Sequence, residues 1–267
     1  MIIIGEKINT SIKSARKIVE ARDSVSLKEL ALLQSNSGAN YLDVNVSTEN
    51  EEAFDRESME WAINTIQEAV DTPLTLDSPD PGLIEVGLRK CKGKVMINSV
   101  TAEEEKLKAI LPLVKEFNAE VIALPIRGGK MPESVDDRLS ACEVIADEAS
   151  RFGISLDRIY FDPLAMAIAT DTTQGKNFVE ALRQLKIRFP GARTTVGLSN
   201  LSFGLPCRTL INRCFLVMAI EAGLDSAIAD PTDKRLMSVL RTTEMILGKD
   251  EYCMNYLRSY KKGELQC

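Results

Sequence analysis

The sequence predicts a (β/α)8 barrel, in which eight parallel strands alternate with helices. Short runs rich in Val, Ile and Leu recur eight times along the 267 residues, and apolar residues at helical spacing fill the segments between them. Strands that alternate with helices form a parallel sheet. Eight such units in a chain of this length favour a closed barrel, the TIM-barrel fold, over an open sheet.

Eight segments are predicted to be strands, and several are almost continuously apolar, as expected for strands buried on both faces. In chain order they are residues 2–5, 41–46, 73–78, 94–100, 120–126, 159–164, 194–200 and 226–230. Between the fourth and fifth of them, Leu107, Ile110, Leu111 and Val114 follow the spacing of an amphipathic helix. Four glycines fall where helices are predicted to end: Gly38, Gly153, Gly223 and Gly248.

A single barrel domain is expected to span residues 1–267, because no linker, low-complexity tract or close internal repeat divides the chain. The longest apolar runs, such as 121–124, are too short to span a bilayer. The residues after Met1 lack the basic region and long apolar stretch of a signal peptide. We therefore expect a cytoplasmic protein without a membrane partner, with a frayed tail at 261–264.

The composition excludes several kinds of chemistry. The chain has no histidine, so it contains no Ser–His or Cys–His catalytic pair and no imidazole ligand for zinc, haem iron or cobalt. Its six cysteines include no Cys-x-x-Cys pair, which argues for reduced thiols and against a structural zinc site. A net charge of −6 without a long basic run argues against a nucleic-acid partner. No metal is expected to be bound by this chain.

Polar residues interrupt the apolar strands near their carboxyl ends, where the active site of a parallel barrel lies. Asp43, Asp77, Asn98, Asp162 and Asp230 occupy equivalent places in five strands. Each has a plainer interpretation as a helix cap. A buried carboxylate without partners is costly, however, so several that converge on one cavity imply a ligand rich in N–H donors. A 2-amino-4-oxo pyrimidine ring fits, because its N3–H and 2-amino group present a planar donor pair to a carboxylate.

Eight short motifs follow one another along nearly the whole chain. They are Ile3-Ile4-Gly5-Glu6-Lys7-Ile8-Asn9, Leu42-Asp43-Val44-Asn45-Val46, Leu76-Asp77-Ser78, Met96-Ile97-Asn98-Ser99, Asp162-Pro163-Leu164, Gly197-Leu198-Ser199-Asn200, Leu210-Ile211-Asn212-Arg213 and Ala227-Ile228-Ala229-Asp230. In this order they resemble the pterin-binding, dihydropteroate-synthase-like methyltransferases, and most closely the methyltetrahydrofolate:corrinoid protein methyltransferases. Each motif alone is weak, and their order makes the resemblance specific.

The resemblance implies a methyltransferase that moves a methyl group between N5 of tetrahydrofolate and the cobalt of a corrinoid, in a direction that the sequence leaves open. The implied pterin-binding residues are Asp77, Asn98 and Asp162 on the ring, Gly197, Ser199 and Arg208 along the pocket, and Asp43 in support. Asn200 is the implied catalytic residue, because it approaches N5. Glu6 either accepts a hydrogen bond within the pocket or pairs with a nearby Lys or Arg.

Two macromolecular partners are also implied. The corrinoid is expected on another protein, because no cobalamin-binding region is visible and a chain without histidine lacks the imidazole that many corrinoid carriers use. The resemblance further implies a homodimer. The segment Arg127-Gly128-Gly129-Lys130 either touches the folate tail or the corrinoid partner, or is a plain glycine turn.

Two other functions compete with this interpretation. Dihydropteroate synthase shares the fold and the pterin pocket, but its family pattern includes a Ser-x-Arg-x-His segment that a chain without histidine cannot carry. A non-catalytic folate-binding protein would need the ring-binding carboxylates but not Asn200. The glycine-rich turn of S-adenosylmethionine-dependent methyltransferases and the Cys/His ligands of zinc-dependent methyl transfer are both missing.

Overall fold

A computed structural model of the chain describes residues 1–47 and 52–266, and the predicted barrel is confirmed. Its parallel strands are β1 (Ile2–Asn9), β2 (Tyr41–Asn45), β3 (Leu74–Asp77), β4 (Val95–Thr101), β5 (Glu120–Leu124), β6 (Ile159–Phe161), β7 (Arg193–Thr194) and β8 (Ser226–Ala229). They pair in the order β7-β6-β5-β4-β3-β2-β1-β8. A parallel bridge between Gly197 and Ile228 closes the remaining gap, where the Ile228 N–H donates to the Val196 carbonyl at 2.8 Å.

Helices surround the barrel and connect successive strands. They are α1 (Lys13–Glu20), α2 (Ser24–Asn36), α3 (Glu52–Gln67), α4 (Pro81–Lys90), α5 (Glu104–Glu116), α6 (Val135–Arg151), α7 (Gln174–Arg188), α8 (Arg208–Glu221), α9 (Lys234–Ile246) and α10 (Met254–Lys261). Side chains cap several N-termini, as at α6, where Ser134 and Asp137 form a reciprocal capping box. The four glycines predicted to end helices all have positive φ, for example 107° at Gly223, which confirms that prediction.

Side chains alternate along each strand between two layers. Outward-facing residues such as Val44, Leu76 and Val121 pack against the helices in the largest apolar cluster. The inward-facing layer contains a smaller cluster, formed by Ile4, Tyr41, Met96, Ile122 and Tyr160. This inner cluster fills the middle of the barrel, so the polar side chains of the strands lie at its two ends.

Six strands are shorter than predicted, and the largest differences are at the carboxyl ends of β6 and β7. β6 ends at Phe161 because Pro163 has no N–H to donate and Leu164 takes a left-handed backbone with φ of 63°. β7 ends at Thr194, and Leu198–Asn200 form a 3₁₀ turn instead of strand. At both places the chain leaves the sheet and contributes to the wall of a cavity.

β1 is longer than predicted and contains an irregularity between Gly5 and Ile8. The buried Gln34 of α2 fills this irregularity, because its Oε1 accepts the Lys7 N–H at 2.9 Å. A Cβ at position 5 would lie 2.6 Å from that oxygen, which explains the glycine. The bulge therefore fixes where Glu6 and Lys7 stand at the end of the strand.

The expectation of a frayed tail is wrong. Residues 254–261 form α10, and the Glu264 carboxylate beyond it pairs with Arg241 of α9, with Nη1 and Oε2 2.8 Å apart. No helix within the described ranges is both long and apolar enough to cross a bilayer. The assignment of the whole chain to one domain stays a prediction.

Candidate active site at the carboxyl end of the barrel

All nine residues predicted for the site border one cavity of about 670 Å³ at the carboxyl ends of the strands. They are Glu6, Asp43, Asp77, Asn98, Asp162, Gly197, Ser199, Asn200 and Arg208. The volume lies within the usual range for small-molecule sites. The structure thus brings the predicted residues together, while the role of each stays a prediction.

Asp43 and Asp77 form a carboxylate pair that is supported only by amides. The Asn98 carboxamide donates to Asp43 Oδ1 at 3.4 Å, and the Asn45 carboxamide donates to Asp77 Oδ2 at 2.9 Å. No arginine or lysine pairs with either carboxylate in the part of the chain that the structure describes. Their charge is therefore left without a cation.

Burial shifts the ionisation of this pair. It raises the pKa of Asp43 well above its ordinary value, the nearby charge of Asp77 adds to that rise, and the hydrogen bond from Asn98 opposes it. Burial also raises the pKa of Asp77, against the hydrogen bond from Asn45. Burial thus disfavours the charged forms of both carboxyls, so the pair is suited to a ligand that brings N–H donors.

Asp162 is 5% exposed, and from the residues that the structure describes it accepts hydrogen bonds of backbone N–H groups only. Its Oδ1 accepts the Leu164 N–H at 2.8 Å, and its Oδ2 accepts the Gly197 N–H at 3.3 Å. Burial raises the pKa of Asp162 to about 7, although these two hydrogen bonds and the charge of Arg138 oppose the rise. Each oxygen keeps a free lone pair, so the carboxylate can still accept the planar donor pair of a pterin.

Glu6 borders the cavity beside a separate ion pair. Burial raises the pKa of Glu6 to about 7 and the negative charge of Asp230 adds to this, against Lys7 and Arg208. Lys7 pairs with Asp230, with Nζ and Oδ2 2.8 Å apart. Burial would raise the pKa of Asp230, but hydrogen bonds from Lys7 and Thr232 lower it below its ordinary value. Lys7 therefore forms its ion pair with Asp230 and not with Glu6, and the Glu6 carboxyl faces the cavity.

The turn after β7 presents Asn200 to the cavity. A Cβ at Gly197 would lie 2.8 Å from Asn200 Nδ2, so the glycine allows the carboxamide to rest against the backbone. Arg208 fixes the turn, because its Nη2 donates to the Ser199 carbonyl at 2.7 Å and its Nε to Ser202 Oγ at 3.1 Å. The Asn200 carboxamide is exposed and makes no hydrogen bond to any described residue, so it is available to a ligand.

Further polar residues border this cavity that were not predicted from the sequence, among them Asn9, Thr209, Asn212 and Asp230. Asn45, which holds Asp77 from outside the cavity lining, was not predicted either. Asn45 had a detectable signal, because it stands two residues after Asp43 and therefore on the same face of β2. Asp230 was recognised as an interruption of its strand but not assigned to the site. The loop Arg127–Lys130 does not border the cavity. Within the described residues, no group of three or more His, Cys, Asp or Glu side chains could hold a metal ion.

Comparison with known proteins identifies relatives over the whole chain. Residues 6–230 match the family model described as pterin binding enzyme. The chain is 34% identical over 267 residues to the methylcorrinoid:tetrahydrofolate methyltransferase of Eubacterium limosum, covering 99% of this chain and 98% of that protein. It is 32% identical over 241 residues to the methionine synthase of Mycobacterium tuberculosis, covering 85% of this chain but only 20% of that protein.

Solved structures agree on the architecture. The 7,8-dihydropteroate synthase from Vibrio fischeri superposes with a TM-score of 0.72 at 14% identity, covering 92% of this chain and 93% of that one. A dihydropteroate synthase from Coxiella burnetii gives a TM-score of 0.64 at 14% identity, over 84% and 87% of the two chains. At these identities the likeness shows the fold alone. The family model and the full-length homologue match the sequence itself, and together they show that the chain belongs to the pterin-binding enzyme family.

Proposed function

We propose that this protein is a methyltransferase that moves a methyl group between N5 of tetrahydrofolate and the cobalt of a corrinoid carried by another protein. The observation that carries the proposal is the convergence of nine predicted residues on one cavity, in a full-length homologue of a methylcorrinoid:tetrahydrofolate methyltransferase. The name of that relative supports transfer from the methylated corrinoid to tetrahydrofolate as the physiological direction.

Asp162 is proposed to hold the pterin by its N3–H and 2-amino group. Both oxygens of this carboxylate already accept one neutral backbone N–H, and each retains a lone pair that can point into the cavity. Asp77 and Asn98 would meet other nitrogens of the ring. A carboxamide suits that position because it both donates and accepts hydrogen bonds.

The chemical step makes opposite demands in its two directions. When tetrahydrofolate is the acceptor, the N5 lone pair attacks the methyl carbon, the Co–C bond breaks with both electrons on cobalt, and N5 loses its proton. In reverse, N5 must receive a proton or strong hydrogen-bond donation as its bond to the methyl group breaks, since it would otherwise leave as an amide anion. Any group that assists must therefore tolerate both a protonated and an unprotonated N5.

Asn200 is proposed to serve N5 in both directions. Its carboxamide can donate to the N5 lone pair or accept the N5–H, but it cannot transfer a proton. Glu6 borders the same cavity, and its pKa of about 7 suits a group that accepts or supplies a proton at neutral pH. We therefore assign N5 positioning to Asn200 and the proton to Glu6.

The corrinoid protein is proposed to dock over the carboxyl end of the barrel, because the cobalt must reach N5 in the cavity. Arg127 and Lys130 are exposed in the loop after β5, next to Glu103, whose Oε1 accepts the Gly129 N–H at 2.9 Å. Charge reversal at either cation should raise the KM for the corrinoid protein severalfold, because charges at the edge of an interface mainly affect the rate at which two proteins associate. Turnover with free cobalamin should stay unchanged. An equal effect on free cobalamin would argue against docking there.

A homodimer is proposed through α7 and α8. Leu210, Val217 and Met218 on α8 are 60%, 40% and 50% exposed, beside a groove of about 710 Å³ between the two helices. An exposed apolar face of this kind is typical of an interface. Met218→Arg should convert a dimer into a monomer in sedimentation measurements, whereas the matched change Ile246→Arg on α9 should not. Unchanged mass in Met218→Arg would exclude this face.

Turnover in both directions tests the function. Purified protein should transfer methyl from free methylcobalamin to tetrahydrofolate, and from 5-methyltetrahydrofolate to reduced cobalamin, under anaerobic conditions. Formation of dihydropteroate from pterin pyrophosphate and p-aminobenzoate should be absent. Folate binding without methyl transfer to or from cobalamin or the corrinoid protein would indicate a binding protein instead, and dihydropteroate formation would indicate the synthase.

A further inference from the structure

Arg138 on α6 is a fully buried arginine whose hydrogen-bond acceptors are all neutral. Its Nε donates to the Pro163 carbonyl at 2.7 Å, its Nη1 to the Ser134 carbonyl at 3.0 Å, and its Nη2 to Gln174 Oε1 at 3.0 Å. Across residues 1–47 and 52–266, no carboxylate forms an ion pair with this guanidinium. The positive charge is therefore buried without a direct counter-charge.

Packing alone does not require a charge at this position. The neighbouring buried side chains of α6 are apolar, among them Leu139, Cys142 and Ile145. Burying a charge that lacks a partner is strongly unfavourable, and an apolar side chain of similar length would fill the same space. A buried positive charge at this position therefore indicates that the guanidinium acts on a neighbouring group.

The carbonyl that Arg138 holds belongs to the segment that orients Asp162. Leu164 takes a left-handed backbone with φ of 63°, which side chains other than glycine seldom adopt. That conformation aims the Leu164 N–H at Asp162 Oδ1, 2.8 Å away. The hydrogen bond from Arg138 to Pro163 fixes the peptide between the two, so the direction of the carboxylate depends on the arginine.

Arg138 also acts on Asp162 through its charge. Burial raises the pKa of Asp162, and among the described residues Arg138 is the one cation that opposes the rise. The other groups that face this carboxylate are the Leu164 and Gly197 N–H groups and the Cys142 thiol of α6. Burial raises the pKa of Cys142, so the thiol is neutral. The remaining charged side chains that border the same cavity are the cation Arg208 and the acidic residues Glu6, Asp43, Asp77, Asp230 and Asp233.

We propose that Arg138 is the positioning residue of the pterin site, which fixes residues 162–164 and lets Asp162 meet the donor edge of the pterin as an anion. The inference rests on the proposed function, because it assumes that Asp162 receives a pterin. It assigns the buried cation a role in ligand binding that a purely structural arginine would not have.

The pH dependence of tetrahydrofolate binding tests the role of Arg138. In the wild-type protein, affinity should fall as the pH drops below about 7, because Asp162 gains a proton. Arg138→Met should move the midpoint of that titration upward by about one pH unit, so that affinity is about fivefold weaker than in the wild-type protein at pH 7 and recovers at pH 9. Arg138→Lys should restore the wild-type midpoint, because it restores the charge.

Arg158 provides a matched control. This arginine also holds backbone carbonyls, those of Val114 and Ala119 at the opposite end of the barrel. Arg158→Met should destabilise the fold without moving the midpoint. Should Arg138→Met fail to fold, Gln174→Glu keeps an acceptor for the Arg138 Nη2 and adds a negative charge beside it, and it should move the midpoint upward as well.

Failure of the Arg138 proposal and failure of the proposed function give different results. Two calorimetric results would overturn the role of Arg138. One is binding to Arg138→Met that is weaker by the same factor at every pH. The other is an unchanged titration midpoint in both Arg138→Met and Gln174→Glu. Wild-type protein that binds no tetrahydrofolate at any pH would instead contradict the proposed function.

Discussion

The two ends of the barrel interior both contain carboxylates, but they differ in how these are paired: Glu120 at the amino end forms ion pairs, whereas Asp43, Asp77 and Asp162 at the carboxyl end form none with any described residue. At the amino end, Glu120 accepts the hydroxyl of Tyr41, pairs with Lys94 at 2.9 Å and lies 3.6 Å from Arg193. Arg193 also donates to the hydroxyl of Tyr160. Every charge in this cluster has a partner, which is the usual condition for a buried ionic group that serves stability.

At the carboxyl end, the partners of Asp43 and Asp77 within the described part of the chain are amides only, and those of Asp162 are backbone N–H groups only. Burial raises the pKa of all three, because their charged forms are less favourable in the protein interior than in water. The same strands thus end in a balanced cluster on one side and an unbalanced one on the other. Uncompensated polar groups of this kind are typical of a binding site, where the ligand provides the hydrogen-bond donors that the protein does not.

The largest effect is expected for Asn200, which bears on the chemical step. Asn200→Ala should lower kcat in both directions by roughly 10²–10³, by analogy with the loss of one donor from an oxyanion hole. Affinity for folate should change less than it does in Asp162→Asn, because Asn200 meets N5 alone whereas Asp162 accepts two N–H donors of the ring. Single-turnover kinetics with methylcobalamin measure this, and a near wild-type rate would exclude Asn200 as the residue that positions N5.

Asp162→Asn should weaken tetrahydrofolate binding by about 10- to 100-fold, because charge-assisted hydrogen bonds contribute roughly 1.5–3 kcal/mol each. Thermal unfolding should show no loss of stability, since the change removes a buried charge that has no direct cation partner. Calorimetry with the folded variant decides the matter. Wild-type affinity would remove Asp162 from the site.

Glu120→Gln is the counterpart at the amino end and should show the reverse pattern. Loss of the charge weakens the hydrogen bonds to Tyr41 and the ion pairs with Lys94 and Arg193, so the free energy of unfolding should fall by about 1–2 kcal/mol. Folate affinity should stay at the wild-type value. Denaturant unfolding and calorimetry on the same preparation give both numbers, and a loss of affinity equal to that of Asp162→Asn would contradict the separation of roles.

The pH should move folate binding and stability in opposite directions. Glu6 and Asp162 have pKa values of about 7 in the folded protein, above the ordinary values of 4.5 and 3.8. Between those limits the folded chain binds more protons than the unfolded chain, so stability rises as the pH falls from 8 to 6, by about 1 kcal/mol per group. Over the same range folate affinity should fall about tenfold, as Asp162 loses its charge. Parallel changes in the two measurements would contradict this assignment.

Much of the fold follows from the sequence, because strands buried on both faces are almost continuously apolar and stand out between amphipathic helices. The carboxylates at 43, 77 and 162 could be predicted for the same reason, since each interrupts an apolar run. The role of Arg138 could not be predicted, because an arginine within an amphipathic helix is usually exposed. Only tertiary packing buries this one beside the segment that contains Asp162. The amino-end cluster was equally hidden, because Tyr41, Glu120 and Arg193 stand at strand starts, where polar residues normally meet solvent.

The most direct test of the proposed function follows the methyl group itself. Protein should be incubated anaerobically with ¹³C-methyl-labelled methylcobalamin and tetrahydrofolate, and the products identified by NMR. We predict a ¹³C signal from the N5-methyl group of 5-methyltetrahydrofolate, formed in step with the loss of methylcobalamin and slowed by roughly 10²–10³ in Asn200→Ala. Label that stays on cobalt while tetrahydrofolate is bound in the pocket would contradict the account.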